Sequence, residues 1–369
     1  MHNIDYLLHV RWLSHVCSFL LFLIIVLNYR HLLYERVKGG TGYFVLFCVM
    51  LFYSLFYVED IGLGDLYNSM EKYYAYLSGI DVEYLHFEPI YFAIMDIVPW
   101  GYLYWRMIVW GSAALILLML IRRMNCDIKI LSFFMCYYLL PRTFYYQRVS
   151  LAFAILLFGM YYYLEWKETK KTIIIILSFI FIGLCTIFHR SMPLYIMIMF
   201  ISIYAPLNKK NWWIYIISIP VLSYFANHIG TALIHQSNEL TEAGEGYLDA
   251  AIQHADRNLN GLISEWLKWL PYTWIMLYAL YDYIKRPQNF SLTEKSLLLF
   301  GSIMYIASLT LDGNTSDWFL GKMKVQSLFP MTIFLSMYFF KRKKIFACRL
   351  YLCTAIIFYM LLMSYNLFR

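Results

Sequence analysis

The chain has 369 residues, of which 62% are hydrophobic and only 14% charged, with a formal net charge of +7. Its mean hydropathy is +0.58. A soluble globular domain is excluded, because apolar runs recur along the whole length and mark a polytopic helical membrane protein. The positive charge is not a nucleic-acid signal, because the basic residues sit at the ends of those runs, where they set topology.

Taken in chain order, the apolar runs predict about twelve spanning segments. Their approximate limits are 12–29, 42–58, 101–121, 130–146, 149–164, 172–188, 191–206, 212–228, 266–284, 296–311, 326–340 and 347–366. The first run lacks a basic leader and a small-residue cleavage site, so a retained helix is expected rather than a signal peptide. The loops 30–41, 122–129, 165–171, 207–211, 285–295 and 341–346 carry 18 Lys and Arg, against nine on the other side. The richer side is cytoplasmic by the positive-inside rule, which puts both termini outside. The whole chain is expected to form one transmembrane domain with two long external loops, 59–88 and 229–265.

Residues 89–99 (PIYFAIMDIVP) are apolar but too short to span. Pro89 suits a first helical position, and Pro99-Trp100-Gly101 reads as a break. The expectation is a half-helix dipping in from outside, followed by a full span from about Gly101. The alternative is one long, tilted and kinked helix. Non-helical backbone at such a break needs surrounding protein or a wet cavity, so this stretch is a candidate cavity wall.

Seven cysteines fall in apolar runs or in loops assigned to the cytoplasm. No disulfides are expected, and without a CxxC or Cys/His cluster no structural zinc site. No DxD triplet, Walker loop, GxSxG or HExxH is present, so no cofactor and no metal are expected.

The candidate site lies in the short external turns. Arg142, Arg148, Arg190, Lys322 and Lys324 place cations where they are normally avoided. A diphosphate explains them, since Arg offers a planar fork matched to phosphate oxygens and Lys a point charge. The competing explanation is snorkelling toward anionic lipid headgroups. His189 joins two apolar runs and is a candidate general base, because an ordinary His titrates near neutral pH. An interfacial ring in the headgroup layer is the alternative. Glu88 precedes the half-helix, where it serves either the helix N-terminus or a substrate hydroxyl. Asp96 and Arg106 are expected to be more buried and to pair with each other or act on substrate. Asp65 lies in the first external loop, in DLYNSMEKYY, which otherwise reads as a solvated amphipathic segment.

In order, these residues form an Asp/Tyr loop, Glu88-Pro89-Ile90-Tyr91 opening an apolar segment, Arg148-Val149-Ser150-Leu151-Ala152 entering a helix, and Phe188-His189-Arg190-Ser191 at a helix end. This order resembles the EpsG-like family of bacterial polysaccharide polymerases, related to Wzy-type O-antigen and capsule polymerases, over roughly residues 40–340. The resemblance implies an all-α fold like that of GT-C-type lipid-dependent glycosyltransferases. It implies a plasma-membrane enzyme whose site faces outward. The donor would be a glycan on polyprenyl diphosphate, and the acceptor the terminal sugar of another lipid-linked repeat unit.

Catalytic roles would fall to Arg148, His189 and Glu88. Substrate contacts would fall to Arg142, Arg190, Lys322, Lys324, Asp65, Tyr91 and Arg106. Where the family often has an Arg entering a late helix, this chain has Gly321-Lys322-Met323-Lys324, a point charge in place of a fork. Implied partners are membrane lipids, a chain-length regulator and a flippase. Competing functions are a lipid-glycan flippase or transporter, a membrane acyltransferase and a glycan ligase. The concentration of candidate residues at one end favours an outward-facing enzyme.

Overall fold

A computed structural model describes residues 65–80, 87–124, 147–205, 259–309, 323–342 and 350. The chain groups into two compact units, Met1–Met197 and Ile198–Arg369. The described residues are helical, with no strand among them. The expected spans at 12–29, 42–58, 130–146, 212–228 and 347–366 lie outside the described residues.

In the first unit, α1 (Asp65–Leu77) occupies part of the expected external loop. Its Ser69, Met70 and Tyr73 are buried, so this stretch is a packed element and not only a solvated segment. The half-helix is present as α2 (Pro89–Ile97), nine residues opened by Pro89 at its first turn. It is separate from α3 (Tyr102–Arg123), which excludes the single kinked helix.

The break between α2 and α3 has two local causes. Gly101 adopts φ +144°, a region that L side chains rarely enter. Tyr73 then clamps the turn, donating to the Val98 carbonyl at 2.6 Å and accepting from the Gly101 amide at 3.1 Å. Burial, the largest influence on this phenol, raises its pKa above the usual 10, which keeps the donating proton in place.

Asp96 is exposed on α2, contrary to expectation. On that helix Tyr91, Phe92 and Met95 take the buried positions. Asp96 therefore points away, and its oxygen receives the Tyr76 hydroxyl at 2.8 Å rather than pairing with Arg106.

Among the described residues two helices are long and apolar enough to cross a membrane, Tyr102–Arg123 and Arg148–Thr169. The second lies within α4 (Gln147–Thr169), which is buried along most of its length. Helix α4 runs on through Glu165-Trp166-Lys167, assigned above to a loop. Only Lys170 and Lys171 separate it from α5 (Thr172–Phe188). Lys170 makes that turn at φ 58°.

Helices α4 and α5 pack closely because Gly159 carries no side chain. A Cβ there would meet Ile182 Cγ1 at 2.9 Å and its backbone nitrogen at 3.1 Å. The Ser178 hydroxyl donates to the Gly159 carbonyl at 2.9 Å across the same contact. Small and hydroxylated residues at a helix crossing are the usual solution where lipid surrounds the pair. The buried stripe of α5 is Ile174, Ser178, Ile182 and Cys185. Its other side exposes Ile173, Ile176, Phe179, Ile180, Leu184 and Ile187. A continuous apolar face of that size fits a lipid environment and would be a liability in water. Helix α6 (Met192–Tyr204) follows after a three-residue turn, and the boundary between the units falls inside it.

The second unit contains α7 (Leu259–Lys285), α8 (Leu292–Leu309) and α9 (Leu328–Arg342). The first seven residues of helix α7 lie inside the external loop expected at 229–265. Ser291 caps α8 in a reciprocal box, with the Glu294 amide donating to its Oγ at 3.2 Å and its own amide donating to Glu294 Oε2 at 2.7 Å. Tyr338 ties α9 to α7 by donating to Asp282 at 2.7 Å.

Candidate functional site

The first unit brings together residues far apart in the chain. Glu88 sits at the N-cap of α2, yet its side chain makes no capping bond there. It reaches instead to α4, where Arg148 Nη1 lies 3.0 Å from its Oε2. Its other oxygen, Oε1, accepts from the Arg190 backbone amide at 3.4 Å. The carboxylate thus joins the start of α2, the start of α4 and the turn between α5 and α6.

The Arg148 guanidinium is held by more than charge. It lies 4.1 Å from the centroid of the Phe87 ring and 5.8 Å from that of Tyr91. The Phe87 ring is in turn parallel to Trp105, at 6.1 Å and 3°, and Trp105 stacks on Tyr102 at 5.6 Å. These rings make a column from α3 that ends on the cation, an arrangement favoured by the ring quadrupole. Tyr91 adds a second tie, donating its hydroxyl to the Arg148 carbonyl at 3.1 Å. Its ring meets Phe188 edge-on at 6.2 Å, which brings the end of α5 to the same place.

Helix α5 ends because His189 turns extended, at φ −161° and ψ 130°. Its carbonyl accepts from the Met192 amide at 3.1 Å, closing a tight turn into α6. Within that turn Ser191 approaches His189 Nδ1 twice, by its amide at 3.2 Å and its hydroxyl at 2.8 Å. Arg190 is exposed. Glu88 and Arg148 are largely buried, with 7% and 15% of their side chains exposed.

The site therefore unites Glu88, Tyr91, Arg148 and the His189–Arg190 turn. Arg106 is fully buried on α3, next to Trp105. Lys324 belongs to the second unit, where its ammonium lies 4.6 Å from the Trp269 ring centroid. Asp65 opens α1, with its side chain outside the described residues, as are Arg142 and Lys322. Phe87, Trp105 and Ser191 were missed as supporting residues. Their signal is weak, being only adjacency to Glu88, Arg106 and Arg190 in sequence. Among the described residues no three His, Cys, Asp or Glu side chains group so as to hold a metal ion.

Chemically, this is a part-buried cation fixed by a carboxylate and an aromatic column, beside an imidazole and an exposed second cation. An anionic group is the natural ligand of such a place. A helical membrane protein with a carboxylate–guanidinium pair held among aromatic rings is the class that fold and site define. A family model, the EpsG family, matches residues 45–369. The chain belongs to the EpsG family, which the match covers over most of its length. Membership makes it a membrane protein of polysaccharide biosynthesis, from a family associated with glycosyltransferase-like polymerase activity. Nothing matches among curated proteins or among solved structures.

Proposed function

We propose that this protein polymerises lipid-linked oligosaccharide repeat units on the outer face of the bacterial plasma membrane. It transfers a glycan from polyprenyl diphosphate to the terminal sugar hydroxyl of another lipid-linked unit. The observation that carries this reading is the convergence of Glu88, Arg148 and the Arg190 amide, from segments 60 and 102 residues apart in sequence.

The leaving diphosphate needs little protonation, but the charge that develops on it needs stabilising. Preorganised cations supply that. Arg148 and Arg190 take this role, with Arg142, Lys322 and Lys324 as further contacts to the lipid diphosphate or the glycan. The acceptor hydroxyl gives up its proton to a carboxylate or an imidazole, and Glu88 and His189 are the two groups at hand. Lipid tails enter sideways between helices, and the external loops hold the sugars. A chain-length regulator and a flippase would act before and beside it.

The test is deletion of the gene in its native bacterium, followed by separation of lipid-linked and surface glycans. Loss of the long ladder, with single repeat units accumulating on lipid, supports the reading. Normal polymer that never reaches its final acceptor indicates a ligase, and units trapped on the cytoplasmic face a flippase. An unchanged ladder contradicts all three.

A further inference from the structure

We propose that Ser191 fixes His189 in the tautomer that carries its proton on Nε2. His189 is then a hydrogen-bond donor to the departing diphosphate, and Glu88 is the group that takes the acceptor's proton. This assignment rests on the function proposed above and divides the labour within that site.

The geometry at Nδ1 carries the argument. The Ser191 backbone amide points at it from 3.2 Å. A backbone N–H has only a proton to offer, so the ring atom it faces presents a lone pair. The Ser191 hydroxyl lies 2.8 Å from the same nitrogen and can turn its proton toward it, sharing that lone pair with the amide. A neutral imidazole carries one proton, and with Nδ1 accepting, that proton resides on Nε2.

A His that works as a base through Nε2 shows the opposite arrangement. Its Nδ1 carries the proton and donates it to a carboxylate or carbonyl, which leaves Nε2 bare. In this turn the orienting group is a donor. Taking a proton at Nε2 would require a proton on Nδ1, facing the amide. Ser191 is therefore a positioning residue that sets which nitrogen meets the substrate.

Glu88 is placed for the complementary task. Its Oε2 is held by Arg148 at 3.0 Å, while among the described residues Oε1 has only the long 3.4 Å contact to the Arg190 amide. Oε1 is the less committed oxygen. In the transfer, the acceptor O–H gives its proton to Glu88 Oε1, and the oxygen's electron pair forms the bond to the anomeric carbon. The bond from that carbon to the diphosphate oxygen breaks, and its electron pair leaves with the diphosphate. His189 Nε2–H and the Arg148 guanidinium meet that charge. The proton on Glu88 then passes to water or to the released diphosphate.

The test uses the full-length protein in vesicles, fed a synthetic polyprenyl-diphosphate repeat unit. In His189→Gln the amide nitrogen can stand where Nε2 stands, and in His189→Asn it stands nearer Nδ1. His189→Gln is expected to keep activity within about tenfold of wild type, while His189→Asn and His189→Ala lose about a hundredfold or more, the usual cost of one oxyanion donor. A His189→Gln protein that is folded yet as inactive as His189→Ala overturns the proposal.

Nitrogen NMR of histidine-labelled protein at alkaline pH, assigned by the signal missing in His189→Gln, reads the tautomer without any turnover. A bare Nδ1 and a protonated Nε2 are expected, and the reverse overturns the assignment. Wild-type vesicles that make no polymer would defeat the functional reading and the donor role with it, while the NMR result still decides the tautomer.

Discussion

Helix α4 meets two arginines, and they make almost the same local contact to opposite effect. Arg123, from the end of α3, donates to the Tyr162 hydroxyl at 2.7 Å and lies 5.5 Å from the Phe158 ring centroid. Arg148, at the start of α4, pairs with Glu88 at 3.0 Å and lies 4.1 Å from the Phe87 ring centroid. Each is a cation on an aromatic face with one oxygen partner. Arg123 is exposed, its partner is neutral, and the contact joins two neighbouring helices. Arg148 is mostly buried, its partner is charged, and a third segment closes over the pair. A cation–aromatic contact is thus a general fastening here. What distinguishes a candidate site is the carboxylate and the convergent turn added to it.

That contrast is broken most sharply at the two arginines themselves. Arg148→Ala is expected to lower polymer formation by about a hundredfold or more. Arg148→Lys is expected to lose well over tenfold, because a point charge cannot replace the fork. Arg123→Ala should leave polymer length and rate near wild type, and cost about 1 kcal/mol or less in stability, as exposed contacts do. Glycan ladders and thermal unfolding of the detergent-solubilised proteins separate the two outcomes.

Next in size is the partner. Glu88→Ala leaves Arg148 charged and part-buried, and should cost up to about 3 kcal/mol. Glu88→Gln keeps the shape and should cost less stability while still losing activity, which unfolding and vesicle assays read separately. At the break beside the site, Gly101→Ala forces an L side chain into φ +144° and should cost about 1–3 kcal/mol. Tyr73→Phe, which removes both ties across that break, should cost about 1–2 kcal/mol. A purely structural effect is expected at the α4–α5 crossing. Gly159→Ala pushes a methyl against Ile182 and should cost about 1 kcal/mol or more, while leaving the activity of folded protein intact.

Much of this was legible in sequence where the signal is local. The apolar run 172–188 gave the limits of α5 directly, because charge and a turn bound it on both sides. Pro89 and Pro99-Trp100-Gly101 marked the half-helix and the break, since proline and glycine act on their own backbone. Glu88, Arg148 and His189 stood out because each lies at a helix end in a short polar motif. The pairing itself was not legible. Nothing near Phe87 in sequence says that its ring lies between Trp105 and Arg148, and nothing near Tyr73 says that it closes a turn 25 residues away. Asp96 was misplaced because a nine-residue helix has no long periodicity from which to tell its buried face from its exposed one. Helix α4 ran past its expected end because Glu165 and Lys167 are good helix formers, whatever their polarity.

The most direct measurement is polymer formation by purified protein in vesicles supplied with one lipid-diphosphate repeat unit, comparing wild type, Arg123→Ala and Arg148→Ala at equal folded amounts. A ladder from wild type and Arg123→Ala, with only single units from Arg148→Ala, is the predicted result. An Arg148→Ala ladder equal to that of wild type would contradict the assignment of this cradle as the place where the diphosphate leaves.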